Sequence, residues 1–208
     1  MLVSGSGSNL QAFIEACRDP SYPCTVAAVI SNRPGAPGLE RARAAEIATA
    51  VLDHTDFASR EDFDAELARR IDAHAPDLVI LAGFMRILTA GFVRHYAGRL
   101  LNIHPSLLPR YPGLHTHQRA IEAGDAEHGA TVHFVTEDLD GGPAILQARV
   151  PVLPGDTPQS LAARVLEREH RIYPLAARLY AEGRLRLRGE RAELDGNPLP
   201  AHGMPLDA

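Results

Sequence analysis

Two cysteines, Cys17 and Cys24, are all that the 208 residues contain. That is too few for a disulfide framework or a four-ligand zinc site, and two free thiols fit a reducing compartment. An excess of positive charge is also missing: the formal net charge is −5, so the chain has no general attraction for nucleic acid, and any anion it binds must be held by local groups. Long apolar runs are absent. The longest, Leu78 to Met85, falls far below the ~20 residues needed to span a bilayer, and no basic, apolar signal segment opens the chain. There is no internal repeat and no linker. What these absences leave is a cytoplasmic protein, with no membrane partner, of ordinary one-domain size and long enough for a substantial core.

What is present is an alternation of short apolar runs with helical patterns. Thr25-Val26-Ala27-Ala28-Val29-Ile30 and Leu78-Val79-Ile80-Leu81-Ala82 are continuous apolar runs, as expected of parallel strands covered on both faces. Gly38 to Glu46 and Ser59 to Ala73 read as helices. The second opens with Ser59-Arg60-Glu61-Asp62, close to a capping box, and places Phe63, Leu67 and Ile71 on one face. Such alternation predicts βαβ units with right-handed crossovers. Only Met1-Leu2-Val3 precede Ser4, so the first strand is expected to be about half the ~5–6 residues of a typical strand. After residue 128, Thr131-Val132-His133-Phe134-Val135 and Ala144-Ile145-Leu146-Gln147-Ala148-Arg149-Val150 predict an antiparallel pair. A helix from Thr157 to Glu182 follows, with Tyr173-Pro174 as a kink or break. From Asp195-Gly196-Asn197-Pro198 onward no packing pattern is evident, and a frayed, flexible tail is expected. The fold predicted is a single-domain α/β fold, an open, mostly parallel Rossmann-like sheet with helices on both faces and an antiparallel C-terminal portion.

Two segments carry the chemistry. In Asn102-Ile103-His104-Pro105-Ser106-Leu107-Leu108-Pro109, Asn102 and His104 are two apart at the end of the apolar run Leu100-Leu101, so a strand continued through them points both to one side. Pro105 lacks an N–H for the ladder and ends the strand, leaving both side chains at a carboxyl edge, where open parallel sheets bind ligands. In the second segment, Asp140 precedes Gly141-Gly142-Pro143, turn formers that let backbone pass close to a substrate. An amide, an imidazole and a carboxylate together can polarise a carbonyl, move a proton and orient the proton carrier. On its own, His104 reads more readily as a hydrogen-bonded core residue than as a catalyst.

The first loop, Gly5-Ser6-Gly7-Ser8-Asn9-Leu10, leads into a helix whose face is Leu10, Phe13, Ile14 and Cys17. Leu10 stands where a dinucleotide fingerprint has its third glycine, and the Gly-Lys-Ser/Thr of a Walker loop is lacking. Two readings stay open: backbone N–H groups at a helix N-terminus that favour a phosphate, or Ser8 as a simple cap with Gln11 closing a capping box. His115 and His117 suggest a metal pair, but no Cys or acidic partner sits at ligand spacing, and no metal is expected. Arg60 and Arg86 read as solvated charges, and Glu169 as an exposed helix carboxylate.

The Asn102 to Pro109 segment resembles the signature of the folate-dependent formyltransferases, with an Asn, a His and a downstream Asp as catalytic trio. The flanks Gly5-Ser6-Gly7-Ser8-Asn9-Leu10-Gln11, Leu81-Ala82-Gly83-Phe84-Met85-Arg86-Ile87-Leu88, Tyr111-Pro112-Gly113-Leu114-His115-Thr116-His117 and Asp140-Gly141-Gly142-Pro143 are similar to the members that formylate glycinamide ribonucleotide (GAR) in purine synthesis. The resemblance runs from Leu2 to about Leu194. It implies a formyltransferase catalytic domain over 1–194, with 195–208 as the tail. Its implied cosubstrate is 10-formyltetrahydrofolate, its acceptor the primary amine of GAR, and its site needs neither metal nor nucleophile; the molecule is expected as a monomer or homodimer. Asn102, His104 and Asp140 are implied as catalytic. Gly7, Ser8, Asn9 and Glu169 are implied to contact GAR, the first three its phosphate. Arg60, Met85, Arg86, Ile87, Leu88, Asn102, Thr136, Glu137, Asp138, Leu139 and Asp140 are implied to contact the folate, where an Arg fork suits glutamate carboxylates.

The mechanism so implied has the GAR amine attack the formyl carbon. Asn102 and a protonated His104 stabilise the charge on the formyl oxygen, and Asp140 pairs with His104 directly or through water. Two related activities compete with this reading. A formyltetrahydrofolate deformylase shares the trio but usually adds an N-terminal regulatory domain, which is not expected before Met1. A methionyl-tRNA formyltransferase adds a C-terminal domain and a basic RNA-facing surface, neither of which is expected here. A non-catalytic nucleotide-binding module would not depend on the three residues together.

Overall fold

A computed structural model describes residues 1–206, which fall into two compact units on either side of the Leu101–Asn102 bond. In the first unit the chain runs β1 (Leu2–Val3), α1 (Ser8–Ala16), β2 (Ala28–Ser31), α2 (Pro37–Ala44), β3 (Ala48–Val51), α3 (Arg60–Asp72), β4 (Val79–Leu81) and α4 (Ala90–His95). A further strand, β5 (Leu100–His104), carries the chain across the division. Strands β3, β2, β1 and β4 pair in parallel in that order. Every residue of β2 and β4 is buried, which is why both read as unbroken apolar runs. β1 is two residues long, as the short run before Ser4 predicts. Its pairing is extended through Met1, whose terminal amine donates to the Ala28 carbonyl at 2.8 Å and whose carbonyl accepts from Ile30 N–H at 2.9 Å.

Helix α3 starts where its cap predicts. Ser59 Oγ accepts from the Asp62 N–H at 3.0 Å, and Phe63, Leu67 and Ile71 form the buried face. Burying each such side chain contributes ~1.5–3 kcal/mol. The strand order then creates a binding edge. From β1 the chain winds outward to β3 and returns to β4 on the other side of β1, so the loops leaving β1 and β4 flank the point where the order reverses, the place ligands occupy in open parallel sheets.

The second unit holds the end of β5, then α5 (Thr116–Glu122), β6 (Glu127–Phe134), β7 (Ala144–Pro151) and α6 (Pro158–Ala181). β6 and β7 are antiparallel, as predicted, and their register shifts between Val132 and His133. α6 packs on both strands. Its start is a capping box between Thr157 and Ser160 with Pro158 in the first turn. Of the kink or break expected at Tyr173-Pro174, the break does not occur: the helix runs through Pro174 to Ala181. Proline removes one intrahelical hydrogen bond, but Leu161, Val165, Ile172, Tyr173, Ala176 and Ala177 bury a face on either side of it and hold the helix together.

The expected tail is a further correction. Beyond α6, β8 (Leu185–Arg188), β9 (Arg191–Leu194) and β10 (Asn197–Pro198) form a small antiparallel sheet. β11 (Met204–Leu206) then pairs in parallel with β7, Met204 opposite Leu146 and Leu206 opposite Ala148. β10 and β11 are too short to show a period; β11 is held by backbone pairing with β7 and by a turn at Gly203, whose φ of 77° only glycine adopts easily and which lies tight against Ile145. Deleting residues 203–208 should therefore lower unfolding free energy by about 1–3 kcal/mol, the loss of a few ladder hydrogen bonds at roughly 0.5–1.5 kcal/mol each. Urea unfolding of the truncated and full-length chains measures it, and equal midpoints would mean the segment contributes nothing.

Candidate active site

In the first unit, the loop after β1 enters α1 through Gly7, which stands at the N-cap position with a φ of 68°. No side chain caps the helix there, so the reading of Ser8 as a cap is not met. A helix N-terminus without a side-chain cap presents its first N–H groups outward and carries partial positive charge, as a phosphate requires. Gly7 is needed for a second reason. A Cβ on it would lie 2.6 Å from the Cα of Gly38 at the start of α2, and Gly38 N–H donates to the Gly5 carbonyl at 3.0 Å. The loop is thus clamped by backbone against backbone, and any larger residue at Gly7 disturbs the fold together with the helix N-terminus that the loop leads into.

The loop after β4 is tied to the same edge. Ser4 N–H donates to the Gly83 carbonyl at 3.2 Å, and Ser4 Oγ accepts from Met85 N–H at 2.8 Å while donating to Asn32 Oδ1 at 2.5 Å. With their backbone held, Met85 and Ile87 leave their apolar side chains 63% and 60% exposed, and Leu88 is half-buried. Exposed apolar side chains on a pinned loop suit a flat aromatic ligand. The Arg86 guanidinium lies 4.6 Å from the centroid of the Phe63 ring, and its buried Nε has no hydrogen-bond partner. Arg60 is exposed at the start of α3.

In the second unit β5 ends at His104 and presents Asn102 and His104 to a shared cluster. The left-handed φ of 52° at Asp140 turns its carboxylate inward, so that Oδ2 lies 3.4 Å from His104 Nδ1 and accepts from Gly113 N–H at 2.8 Å. The side chains of His104 and Asp140 are each only 8% exposed. His104 Nε2 is 2.8 Å from the Tyr111 carbonyl. A carbonyl can only accept, so the proton is on Nε2, and Nδ1 is the nitrogen that faces Asp140.

Among the described residues no hydrogen bond joins Asn102 to His104. Asn102 Nδ2 is 3.2 Å from Nε2 of His133, whose Nδ1 is 2.9 Å from the Phe134 carbonyl. The same logic puts the His133 proton on Nδ1, so its Nε2 accepts from the Asn102 amide and fixes which way that amide points. Burial keeps the His133 imidazole neutral by lowering its pKa. One N–H of Asn102 is thereby committed, and the other is left for a ligand oxygen.

His133 was missed in the sequence because it reads as one more residue of a strand. It sits at the register shift of β6, and irregularities of that kind re-aim side chains beside active sites. The shift itself is packed tightly, since a Cβ on Gly142 would meet the Phe134 carbonyl oxygen at 1.8 Å. Thr136 is half-buried, Glu137 and Asp138 are exposed and Leu139 is 60% exposed on the loop that ends in Asp140. Glu169 is buried on α6, not an exposed helix carboxylate. His115 and His117 part company: His115 is exposed at the left-handed N-cap of α5, whereas His117 is half-buried with its ring centroid 5.1 Å from that of His128.

Comparison with known proteins gives a consistent picture. The formyl transferase family model matches residues 1–177. A phosphoribosylglycinamide formyltransferase of Escherichia coli is 59% identical over 207 residues, covering 100% of this chain and 98% of its own. The trifunctional purine biosynthetic protein adenosine-3 of Drosophila melanogaster is 54% identical over 88% of this chain, which corresponds to 14% of that longer protein. The solved phosphoribosylglycinamide formyltransferase of Coxiella burnetii, in complex with CHES, superposes with a TM-score of 0.95 at 50% identity, covering 99% of this chain and 96% of that one.

The buried imidazoles set an acid limit. Burial, and then the neighbouring His117, push the His128 pKa down to about 4; burial also lowers those of His117 and His133. Unfolding returns each to the ordinary value of 6.5, so below that pH the unfolded chain binds more protons than the folded one. Stability is complete above 6.5 and declines as pH falls toward about 4. Thermal melts from about pH 7 to about pH 5 should show this decline, and His128→Gln should make it shallower; the same acid dependence in that variant would remove His128 from the account.

Proposed function

Since the chain belongs to the formyl transferase family, we propose that it transfers the formyl group of 10-formyltetrahydrofolate to the primary amine of GAR, giving formylglycinamide ribonucleotide and tetrahydrofolate in purine synthesis. The observation that carries this reading is the cluster of Asn102, His104, Asp140 and His133, in which an amide N–H is oriented by His133 and an imidazole by the Tyr111 carbonyl and the Asp140 carboxylate. Such a cluster can meet a carbonyl oxygen as it gains charge, and it supplies no nucleophile of its own. The attacking amine belongs to the substrate.

Each residue's part follows from its partners. As the GAR nitrogen bonds to the formyl carbon, charge grows on the formyl oxygen. The uncommitted N–H of Asn102 donates to it, and preorganised donors of this kind are worth about 10²–10³ in rate. His104, charged, donates from Nδ1. Asp140 holds that imidazole in place and, directly or through a water, takes the proton that the attacking nitrogen sheds. As the bond from the formyl carbon to the folate nitrogen breaks, that nitrogen gains a proton, and the balance is one proton moved from amine to folate.

The N–H groups of Gly7, Ser8 and Asn9 hold the GAR phosphate, and Glu169 contacts GAR. Met85, Ile87 and Leu88 with Thr136 to Asp140 receive the folate, and Arg60 and Arg86 its carboxylates. The formyltransferase domain is assigned to 1–194. Among the described residues no helix is long and apolar enough to cross a membrane. The protein works in the cytoplasm on these two small molecules, as a monomer or homodimer.

Folate release, followed by absorbance, should require GAR; equal release without it would make the protein a deformylase instead. His104→Ala and Asp140→Ala should each lower kcat by about 10²–10⁴-fold with smaller changes in GAR affinity, the usual worth of positioned acid–base groups. Near-normal turnover in either variant takes that residue out of the mechanism.

A further inference from the structure

The partner of His104 on the side away from Asp140 belongs to a cluster that formyl transfer leaves unused. Tyr111 adopts a left-handed φ of 54°, a conformation unfavourable for a residue with a Cβ. The contacts that hold it there are extensive. Its hydroxyl donates to Asp125 Oδ2 at 2.7 Å, and Asp125 Oδ1 pairs with Arg110. The guanidinium groups of Arg110 and Arg119 lie 5.3 and 5.1 Å from the centroid of its ring. Arg119 also donates to the carbonyls of Pro112 at 2.7 Å and Leu114 at 3.3 Å, stiffening the turn beyond.

The charges of this cluster are settled by the same bonds. Burial works against the ionised form of Asp125, but hydrogen bonds from Tyr111 and Arg110 outweigh it and keep the carboxylate charged. The Asp125 hydrogen bond raises the Tyr111 hydroxyl, which stays a donor. The outcome of this effort is a single placed atom, the Tyr111 carbonyl oxygen at 2.8 Å from His104 Nε2.

We propose that Tyr111 and Asp125 are positioning residues for His104: together they hold that carbonyl on Nε2, keep the ring proton there, and so leave Nδ1 as the nitrogen that meets Asp140 and the substrate. The inference rests on His104 being the proton-transferring imidazole of the proposed function. Neither residue touches the reacting atoms. Without the clamp the imidazole is free to carry its proton on either nitrogen and to turn, and part of the population then presents the wrong edge to Asp140.

The test uses the full chain labelled with 15N-histidine, and the variants Tyr111→Phe and Asp125→Asn. Imidazole 15N shifts of neutral His104 should show the Nε2–H tautomer in the unaltered protein and a mixture of Nδ1–H and Nε2–H in both variants. With it, kcat should fall about tenfold, part of the roughly 10²-fold that a misplacement of about 1 Å costs. KM for GAR and for 10-formyltetrahydrofolate should stay within about twofold, as for a loss felt only in the transition state. A single Nε2–H tautomer in folded Tyr111→Phe, whatever its turnover, overturns the proposal, because the turn then supports the fold without setting the imidazole. If Asp125→Asn does not fold, Tyr111→Phe, which keeps the ring, decides alone. Undiminished turnover in His104→Ala would instead sink the reading beneath the proposal, and the tautomer measurement is separate from it.

Discussion

A backbone carbonyl can accept a hydrogen bond but never donate one, and two such carbonyls organise the chemistry of the second unit. The Tyr111 carbonyl places the His104 proton on Nε2, and the Phe134 carbonyl places the His133 proton on Nδ1. From these two choices the rest follows. Nδ1 of His104 is the nitrogen turned to Asp140, Nε2 of His133 is a lone pair turned to Asn102, and the Asn102 amide can point only one way. The imidazole, carboxylate and amide are oriented in the absence of any ligand, which is the condition under which such groups can act on developing charge without reorganising.

In the first unit the corresponding constraint is steric. Gly7 and Gly38 bring backbone against backbone at the start of α2, and the loop after β1 is held where the strand order reverses. Ser4 works on the neighbouring loop through both its main chain and its hydroxyl, joining Gly83, Met85 and Asn32. A buried hydroxyl with both its donor and its acceptor satisfied adds rigidity without leaving an unpaired polar group. Two loops that would otherwise be mobile are thereby fixed on a frame of parallel strands, at the cost of forbidding larger residues at the two glycines.

Different parts of this structure were legible to different degrees. β2 and β4 announced themselves because burial on both faces leaves only apolar residues. α3 did so through Ser59 and the spacing of Phe63, Leu67 and Ile71. The edge strand β3, Ala48–Val51, is mostly half-buried, and the six residues of α4 are too few to show a period, so neither left a pattern. Pro174 did not end its helix for the opposite reason: the local tendency of proline to break a helix yielded to the burial of the helix face around it. The last strand, β11, was hidden because its order comes from backbone pairing with β7, a partner more than fifty residues back in the chain.

The same division runs through the site. The amino-acid sequence by itself determined the fold class and the family, and it singled out Asn102, His104 and Asp140, because an amide and an imidazole two apart on a strand that proline ends, and a carboxylate before a glycine turn, are local arrangements. It could not show His133 between Asn102 and Asp140, the Gly113 N–H on Asp140, or the Asp125–Tyr111 hydrogen bond behind His104. Those depend on a register shift in β6, on left-handed residues at Tyr111 and Asp140, and on contacts between segments distant in the chain. Only the tertiary structure decided them, because which nitrogen of an imidazole carries the proton is set by the atom folded against it and not by its neighbours in sequence.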